Sequence, residues 1–176
     1  MPGSRCARPV PVYTGDGKGK TTAAFGLAVR ALCAGQSVYI GQFVKSMRYN
    51  ETKIEGIFDR MRIEQLGRGC FIGHDPEPAD VGMAREGLAR CRALLVSGSS
   101  DLYDLVILDE LTIALYYRLL TVDEVLDALR ARHPSVEVVV TGRYAPQELV
   151  DEADLVTEMR EVKHYYTQGV LSREGI

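Results

Sequence analysis

The sequence predicts an α/β fold with a mainly parallel sheet flanked by helices, and three observations carry that prediction. Short apolar, β-branched runs alternate with segments of helical periodicity from Val10 onward. The central runs, such as 103–110 and 136–143, are almost free of polar residues, as strands buried on both faces are. The chain has 176 residues, a length that suits one domain over 1–176 with a real core; residues 1–9 are expected to be flexible. Strand and helix in alternation imply right-handed βαβ units.

The elements follow in order. Val10 to Thr14 (VPVYT) reads as a buried strand. A helix then starts near Lys20, with Ala24, Leu27, Ala28, Ala31 and Leu32 recurring at three and four, and Gly35 stands where a helix end wants a left-handed residue. Ser37 to Val44 and Arg62 to Gly67 read as the second and third strands. Asp80 is placed to cap a helix running to about Val96, whose face holds Val81, Ala84, Leu88, Cys91 and Leu95. Tyr103 to Glu110 is the fourth strand. Thr121 and Glu124 form a capping-box pattern for a helix carrying Val125, Leu126 and Leu129, stopped by Pro134. Val136 to Arg143 is the fifth strand, Pro146 starts a short helix, and Ala153 to Val162 is the last strand. Two long stretches without regular pattern, 45–60 and 67–80, both follow strands. They should lie at the carboxyl edge of the sheet, where open α/β sheets bind ligands.

Composition excludes several functions. The formal net charge of −3 argues against a dedicated nucleic-acid binder. No apolar run is long enough to span a bilayer, and the N-terminal residues lack the apolar core of a secretory signal. Cys6, Cys33, Cys70 and Cys91 are widely spaced with no CxxC pair, which reads as reduced thiols in a cytoplasmic protein. His74, His133 and His164 do not cluster.

The chemistry concentrates in Gly15-Asp16-Gly17-Lys18-Gly19-Lys20-Thr21-Thr22. A glycine-rich turn between an apolar strand and a helix is the setting of a phosphate-binding loop. Backbone N–H groups converge on an anion, the helix N-terminus adds a favourable dipole, Lys20 brings a mobile cation, and the Thr21 hydroxyl can ligate Mg²⁺. The spacing is off by one: the position that normally holds the first glycine is Thr14, and the nearest glycine is Gly15. Lys18 reads equally as a solvated lysine or a second phosphate contact. The apolar run ending in Asp109-Glu110 matches the acidic strand end that holds Mg²⁺ in such sites, the closer of the two acids being undecided by pattern. Thr141 and Arg143 end another strand and are candidates for contact with ligand or phosphate.

Together, TGDGKGKTTAAFGLAVRALCAG, VYIGQFVK, LVILDELTIAL, VVVTGR, ADLVTEMREVKH and GVLSREGI resemble the P-loop ATP:corrinoid adenosyltransferases over Val12 to Ile176, and the late glycine is that family's own form. The resemblance implies a RecA-like P-loop NTPase fold, usually a homodimer. It implies transfer of the 5′-deoxyadenosyl group of ATP to the Co(I) of a corrinoid, with triphosphate released and ATP reversed in the loop. It implies ATP, Mg²⁺ and a reduced corrinoid as ligands and a flavoprotein or other reductant as partner, with no nucleic acid and no membrane. Carried over by residue, Gly15, Asp16, Gly17, Lys18, Gly19, Lys20, Thr21 and Thr22 take the phosphates. Lys20, Thr21 and Glu110 are the catalytic set, Thr21 and Glu110 hold the metal, and Arg143 lies near the ligands. Arg30, Gln42 and Lys45 match family positions without an assigned role. Asp16 stands where relatives often have Asn. On the corrinoid side, where some relatives carry Phe-x-Trp to displace the lower axial ligand of cobalt, this chain has Cys70-Phe71-Ile72 and no tryptophan. Either Cys70 and Ile72 act by apolar occupancy or the mechanism differs. His74 is expected to be a surface histidine, and the N-terminal lid of some relatives is expected to be missing or very short.

Overall fold

The computed structural model of the chain describes residues 8–47, 49–69, 75–96, 103–171 and 173–175. Among these, six strands form one sheet: β1 (Pro11–Thr14), β2 (Val38–Gln42), β3 (Met61–Gln65), β4 (Leu105–Asp109), β5 (Glu137–Thr141) and β6 (Leu155–Glu158). Their order is β3-β2-β4-β5-β1-β6, and every neighbouring pair is parallel. The helices are α1 (Lys20–Cys33), α2 (Pro78–Val96), α3 (Leu111–Tyr116), α4 (Val122–Arg130) and α5 (Gln147–Glu152), with 3₁₀ turns at Asn50–Gly56 and Tyr165–Gln168. This is the α/β architecture the alternation predicts.

Period-two alternation sends successive strand residues to opposite faces. Leu105, Ile107, Val139, Val38 and Ile40 pack under α1 through Ala24, Phe25, Ala28, Ala31 and Leu32. Val106, Leu108, Val138, Val140 and Val12 face the other side, against Leu88, Cys91 and Leu95 of α2, Val125 and Leu129 of α4, and Leu149 of α5. Burial on both faces explains why β4 and β5 carry almost no polar side chain before their last residues. On the α2 side, burial pushes the Cys91 thiol up to about 12, so it is a core residue and not a reactive one. No helix among the described residues is long and apolar enough to cross a membrane.

Several boundaries move for physical reasons. Asp80 does not stand in front of α2. The helix begins at Pro78, which needs no N–H partner there, and the Asp80 carboxylate reaches back to accept the Glu77 backbone N–H at 2.8 Å. α3 follows β4 directly, because Glu110 takes a left-handed conformation (φ 59°) that turns the chain out of the sheet. β6 stops at Glu158, and all four of its residues are exposed on the open edge of the sheet. Arg8, expected in a flexible leader, is tied to the fold: its N–H donates to the Pro134 carbonyl at 3.1 Å, and its own carbonyl accepts from Arg132 at 2.8 Å.

The capping box at α4 forms as the sequence predicts, with the Thr121 hydroxyl accepting from the Glu124 N–H and the Glu124 carboxylate accepting from the Thr121 N–H. Thr121→Ala should cost about 1 kcal/mol of stability in denaturant unfolding and leave nucleotide affinity unchanged, since the Thr121 and Glu124 side chains bond each other and Arg85, not the glycine loop or Asp109.

Candidate active site

Four neighbouring strands end together at the carboxyl edge: β2 at Gln42, β4 at Asp109, β5 at Thr141 and β1 at Thr14, which runs into the glycine loop. Gln42 and Asp109 are register partners, and Leu108 pairs with Val140 one step before Thr141, so three polar side chains meet at one level of the sheet.

Asp109 is fully buried and is the hub of this level. One carboxylate oxygen accepts from the Thr141 hydroxyl at 2.7 Å and the Thr21 hydroxyl at 2.9 Å; the other accepts from Lys45 Nζ at 2.9 Å and Gln42 Nε2 at 3.0 Å. A buried carboxylate is tolerated only when its oxygens are satisfied in this way. Lys45 reaches it because Val44 (φ 60°) turns the chain back after β2. Burial works to lower the Lys45 pKa, but Asp109, helped by Glu110 and Glu51, outweighs it and the net shift is upward.

Glu110 has no hydrogen bond to its carboxylate among the described residues. Its backbone N–H donates to the Thr141 hydroxyl at 3.1 Å, and its side chain lies beside Gly142, where a Cβ would stand 3.3 Å from the carboxylate. Burial and then the charge of Asp109 push its carboxyl above the usual range, while Lys45, Lys20 and Arg143 pull it down. Asp109 is thus saturated and Glu110 free. With the Thr21 hydroxyl, Glu110 makes an all-oxygen donor set suited to a hard divalent cation that takes its remaining ligands from water and phosphate. Among the described residues no group of three or more His, Cys, Asp or Glu stands together that could hold a metal by itself.

The glycine loop is shaped from two directions. Lys20, 6 % exposed, begins α1 and turns its Nζ onto the carbonyls of Gly15 (2.6 Å) and Gly17 (2.7 Å). Burial, then Arg143, lowers its pKa, against Glu110 and Asp16, which raise it. These partners set Arg143 and Asp16 around the loop cation. From the other side comes Met159, just past β6: its N–H donates to the Thr14 carbonyl at 2.8 Å, and its own carbonyl accepts the Gly17 N–H at 2.6 Å. A Cβ on Gly15 would stand 2.5 Å from the Met159 carbonyl oxygen, and one on Gly17 would stand 2.6 Å from it. Gly15 also has φ 93° and Gly19 φ 121°. The late first glycine therefore answers a close backbone approach as well as a turn.

The structure therefore brings Gly15, Asp16, Gly17, Lys18, Gly19, Lys20, Thr21, Glu110 and Arg143 to one edge, with Thr22 exposed in the first turn of α1. Thr141 serves Asp109, and Arg143 offers its carbonyl to the Thr112 hydroxyl at 2.6 Å. Arg30 sits at the far end of α1, lining a shallow cavity of about 210 Å³ with Leu105 and Glu137 at the opposite edge of the sheet. Cys70, Phe71, Ile72 and His74 lie outside the described residues. Sequence reasoning missed the Met159 strap and the roles of Gln42 and Lys45, whose side chains are polar at the end of an apolar strand, the one signal available.

The family model for ATP:corrinoid adenosyltransferase BtuR/CobO/CobP matches residues 8–176. The chain belongs to this family. Curated relatives include the corrinoid adenosyltransferase CobA of Salmonella typhimurium, 37 % identical over 169 residues, which span 94 % of this chain and 83 % of that protein. The corrinoid adenosyltransferase of Escherichia coli K12 is 35 % identical over 165 residues, with 94 % and 83 % covered. That of Pseudomonas aeruginosa is 36 % identical over 169 residues, with 94 % and 81 % covered. The matched region takes in both the glycine loop and the C-terminal segment set against it.

Three variants test this geometry. Gly17→Ala must displace the Met159 backbone and should lower the melting temperature and weaken nucleotide binding at least roughly tenfold. Gly26→Ala, whose Cβ meets nothing within 4 Å, should stabilise α1 by about 0.5–1 kcal/mol and leave binding alone. Glu110→Gln should raise the stability of the ligand-free protein at neutral pH. An acid whose folded pKa is raised is neutral in both states at low pH and costs stability only once pH climbs past the unfolded value. The gain in thermal unfolding should therefore vanish as pH falls below the ordinary glutamate range.

Proposed function

We propose that this chain transfers the 5′-deoxyadenosyl group of ATP to the Co(I) of a corrinoid and releases inorganic triphosphate, in the biosynthesis or salvage of adenosylcobalamin. The observation that carries this reading is a family-matched glycine loop whose lysine is buried and whose threonine is tied to the acidic end of β4.

The reaction asks little proton chemistry of the protein. The Co(I) electron pair forms the bond to C5′, the C5′–O5′ bond breaks, and that pair leaves on the triphosphate. No proton moves, so no general base is needed; the saturated Asp109 and the metal-facing Glu110 fit that demand. What is needed is stabilisation of the departing charge and placement of C5′. In this reading the loop N–H groups, Lys18, Lys20 and Thr22 take the triphosphate, Arg143 adds positive charge, and Asp16 borders the nucleotide. Thr21 and Glu110 hold Mg²⁺, which when bound supplies neutralisation of the phosphate oxygens. ATP lies reversed in the loop so that C5′ faces the corrinoid, which is received by Cys70, Phe71 and Ile72. A flavoprotein or other reductant delivers Co(I), and the working form is a cytoplasmic homodimer; these rest on the family resemblance.

Mixing the protein with ATP, Mg²⁺ and chemically reduced corrinoid should yield the adenosylcobalt spectrum with stoichiometric triphosphate. Orthophosphate with unchanged corrinoid would sink the reading and point to an ATPase. Lys20→Ala should lower transfer roughly 100-fold or more, with ATP affinity falling alongside in calorimetry.

A further inference from the structure

A second cluster of charge stands at the mouth of the loop, built by the C-terminal tail. Lys18 Nζ donates to the Tyr165 hydroxyl at 2.5 Å and lies 5.1 Å from the centre of its ring. The Arg173 guanidinium lies 5.9 Å from the same ring centre. Both cations draw the Tyr165 phenol below its ordinary pKa, the hydrogen bond from Lys18 being the largest cause. The His164 ring sits 4.6 Å from the Tyr165 ring and its Nδ1 accepts the Tyr166 N–H, which closes the turn that presents Tyr165. Neither Lys18 nor Arg173 has a carboxylate within ion-pair distance among the described residues, although the chain carries more acidic residues than basic ones.

Two cations gathered on one phenol beside the glycine loop, with no carboxylate at ion-pair distance among the described residues, suit an anion. Like charges held close repel, and a tyrosine neutralises neither. A phosphate oxygen satisfies both, since ammonium and guanidinium are the standard partners of phosphoryl groups. Lys18 stands between Gly17 and Gly19, so an anion bridging it to Arg173 is continuous with whatever the loop holds.

We propose that Lys18 and Arg173, gathered by Tyr165, form an end clamp for the triphosphate, reaching the phosphate farthest from the loop centre and distinguishing a three-phosphate chain from a shorter one. This rests on the reading that the loop binds triphosphate. Tyr165 is a positioning residue: its ring gathers the two cations before the phosphate arrives and stays beneath them when it binds.

Calorimetry of the full chain with inorganic triphosphate and with pyrophosphate, at fixed Mg²⁺ and salt, tests the clamp. Arg173→Ala should weaken triphosphate binding roughly tenfold while changing pyrophosphate binding by no more than about twofold. Tyr165→Ala should follow it, and Tyr165→Phe, which keeps the ring under both cations, should stay near the parent. Arg173→Ala that binds triphosphate like the parent overturns the clamp. So do equal losses for both anions, because a damaged loop, not an end clamp, produces them. Lys20→Ala separates the two readings: loss of both anions in Lys20→Ala with an unaffected Arg173→Ala removes only the clamp, whereas unchanged binding in Lys20→Ala removes the loop reading beneath it.

Discussion

Burying the Asp109 carboxylate commits four segments of chain at once. Moving a carboxylate out of water costs several kcal/mol even after relaxation, and here that cost is offset by donors from α1 (Thr21), β2 (Gln42), the turn after β2 (Lys45) and β5 (Thr141). Each donor lies on a different element, so none satisfies Asp109 unless the carboxyl edge of the sheet is assembled in register. The neighbouring contacts follow from this one: Gln42 uses its amide oxygen to accept from Gln65 on β3, and the Thr141 hydroxyl, having given its proton to Asp109, accepts the Glu110 N–H. A polar ladder thus runs across β3, β2, β4 and β5 at the level where a ligand would lie.

The same saturation divides labour between two adjacent acids. Asp109 has two donors on each oxygen and no capacity left for a metal or a substrate proton. Glu110, one residue on, is turned out of the strand by its left-handed backbone and leaves its carboxylate free. Thr21 gives its hydroxyl proton to Asp109, which leaves its lone pairs directed elsewhere and suited to a cation. A φ of 59° at a residue other than glycine is a cost of order 1–3 kcal/mol, and its return is a carboxylate held at the edge instead of buried in the sheet. Lys20, Lys45 and Arg143 all bear on Glu110, so the level is rich in cations before any ligand arrives, as a polyanion site should be.

How much of this could be read from sequence divides along contact distance. The strands were legible because β-branched runs such as 105–108 and 138–140 leave little alternative, and α4 was legible because Thr121 and Glu124 declare its cap within four residues. The loop and its Lys20-Thr21 were legible because they are contiguous. α3 was not: Leu111 to Tyr116 continues the apolar run of β4, and only the left-handed turn at Glu110 separates them, a conformation no propensity announces. Asp80 lies three residues inside the start that a capping role implies, because a carboxylate can serve a helix start from the cap or from the third position, and Pro78 decides between them. The Asp109 hub was illegible in principle, since its donors are residues 21, 42, 45 and 141, and only strand order makes them neighbours. Arg30 shows the converse: a family-matched position that the fold carries to the opposite edge.

Strand order also explains why the tail and the loop belong together. β6 lies beside β1 and runs parallel to it, so whatever follows β6 must emerge next to whatever follows β1. The first consequence is Met159, which extends the β6 ladder by one step onto Thr14 and then caps the Gly17 N–H. That approach leaves no room for a Cβ at residues 15 and 17, so the tail by itself requires glycine at both. The second consequence is that the tail, once past Met159, lies over the loop's outer rim, where Lys18 projects and Tyr165 meets it. β1 stands between β5 and β6, one strand in from the edge of the sheet. Here β6 is the edge strand, exposed on its outer side, and the chain beyond it is free to serve the loop. The displaced glycine and the tail are thus two ends of one constraint, a parallel edge strand set against the strand that delivers the loop.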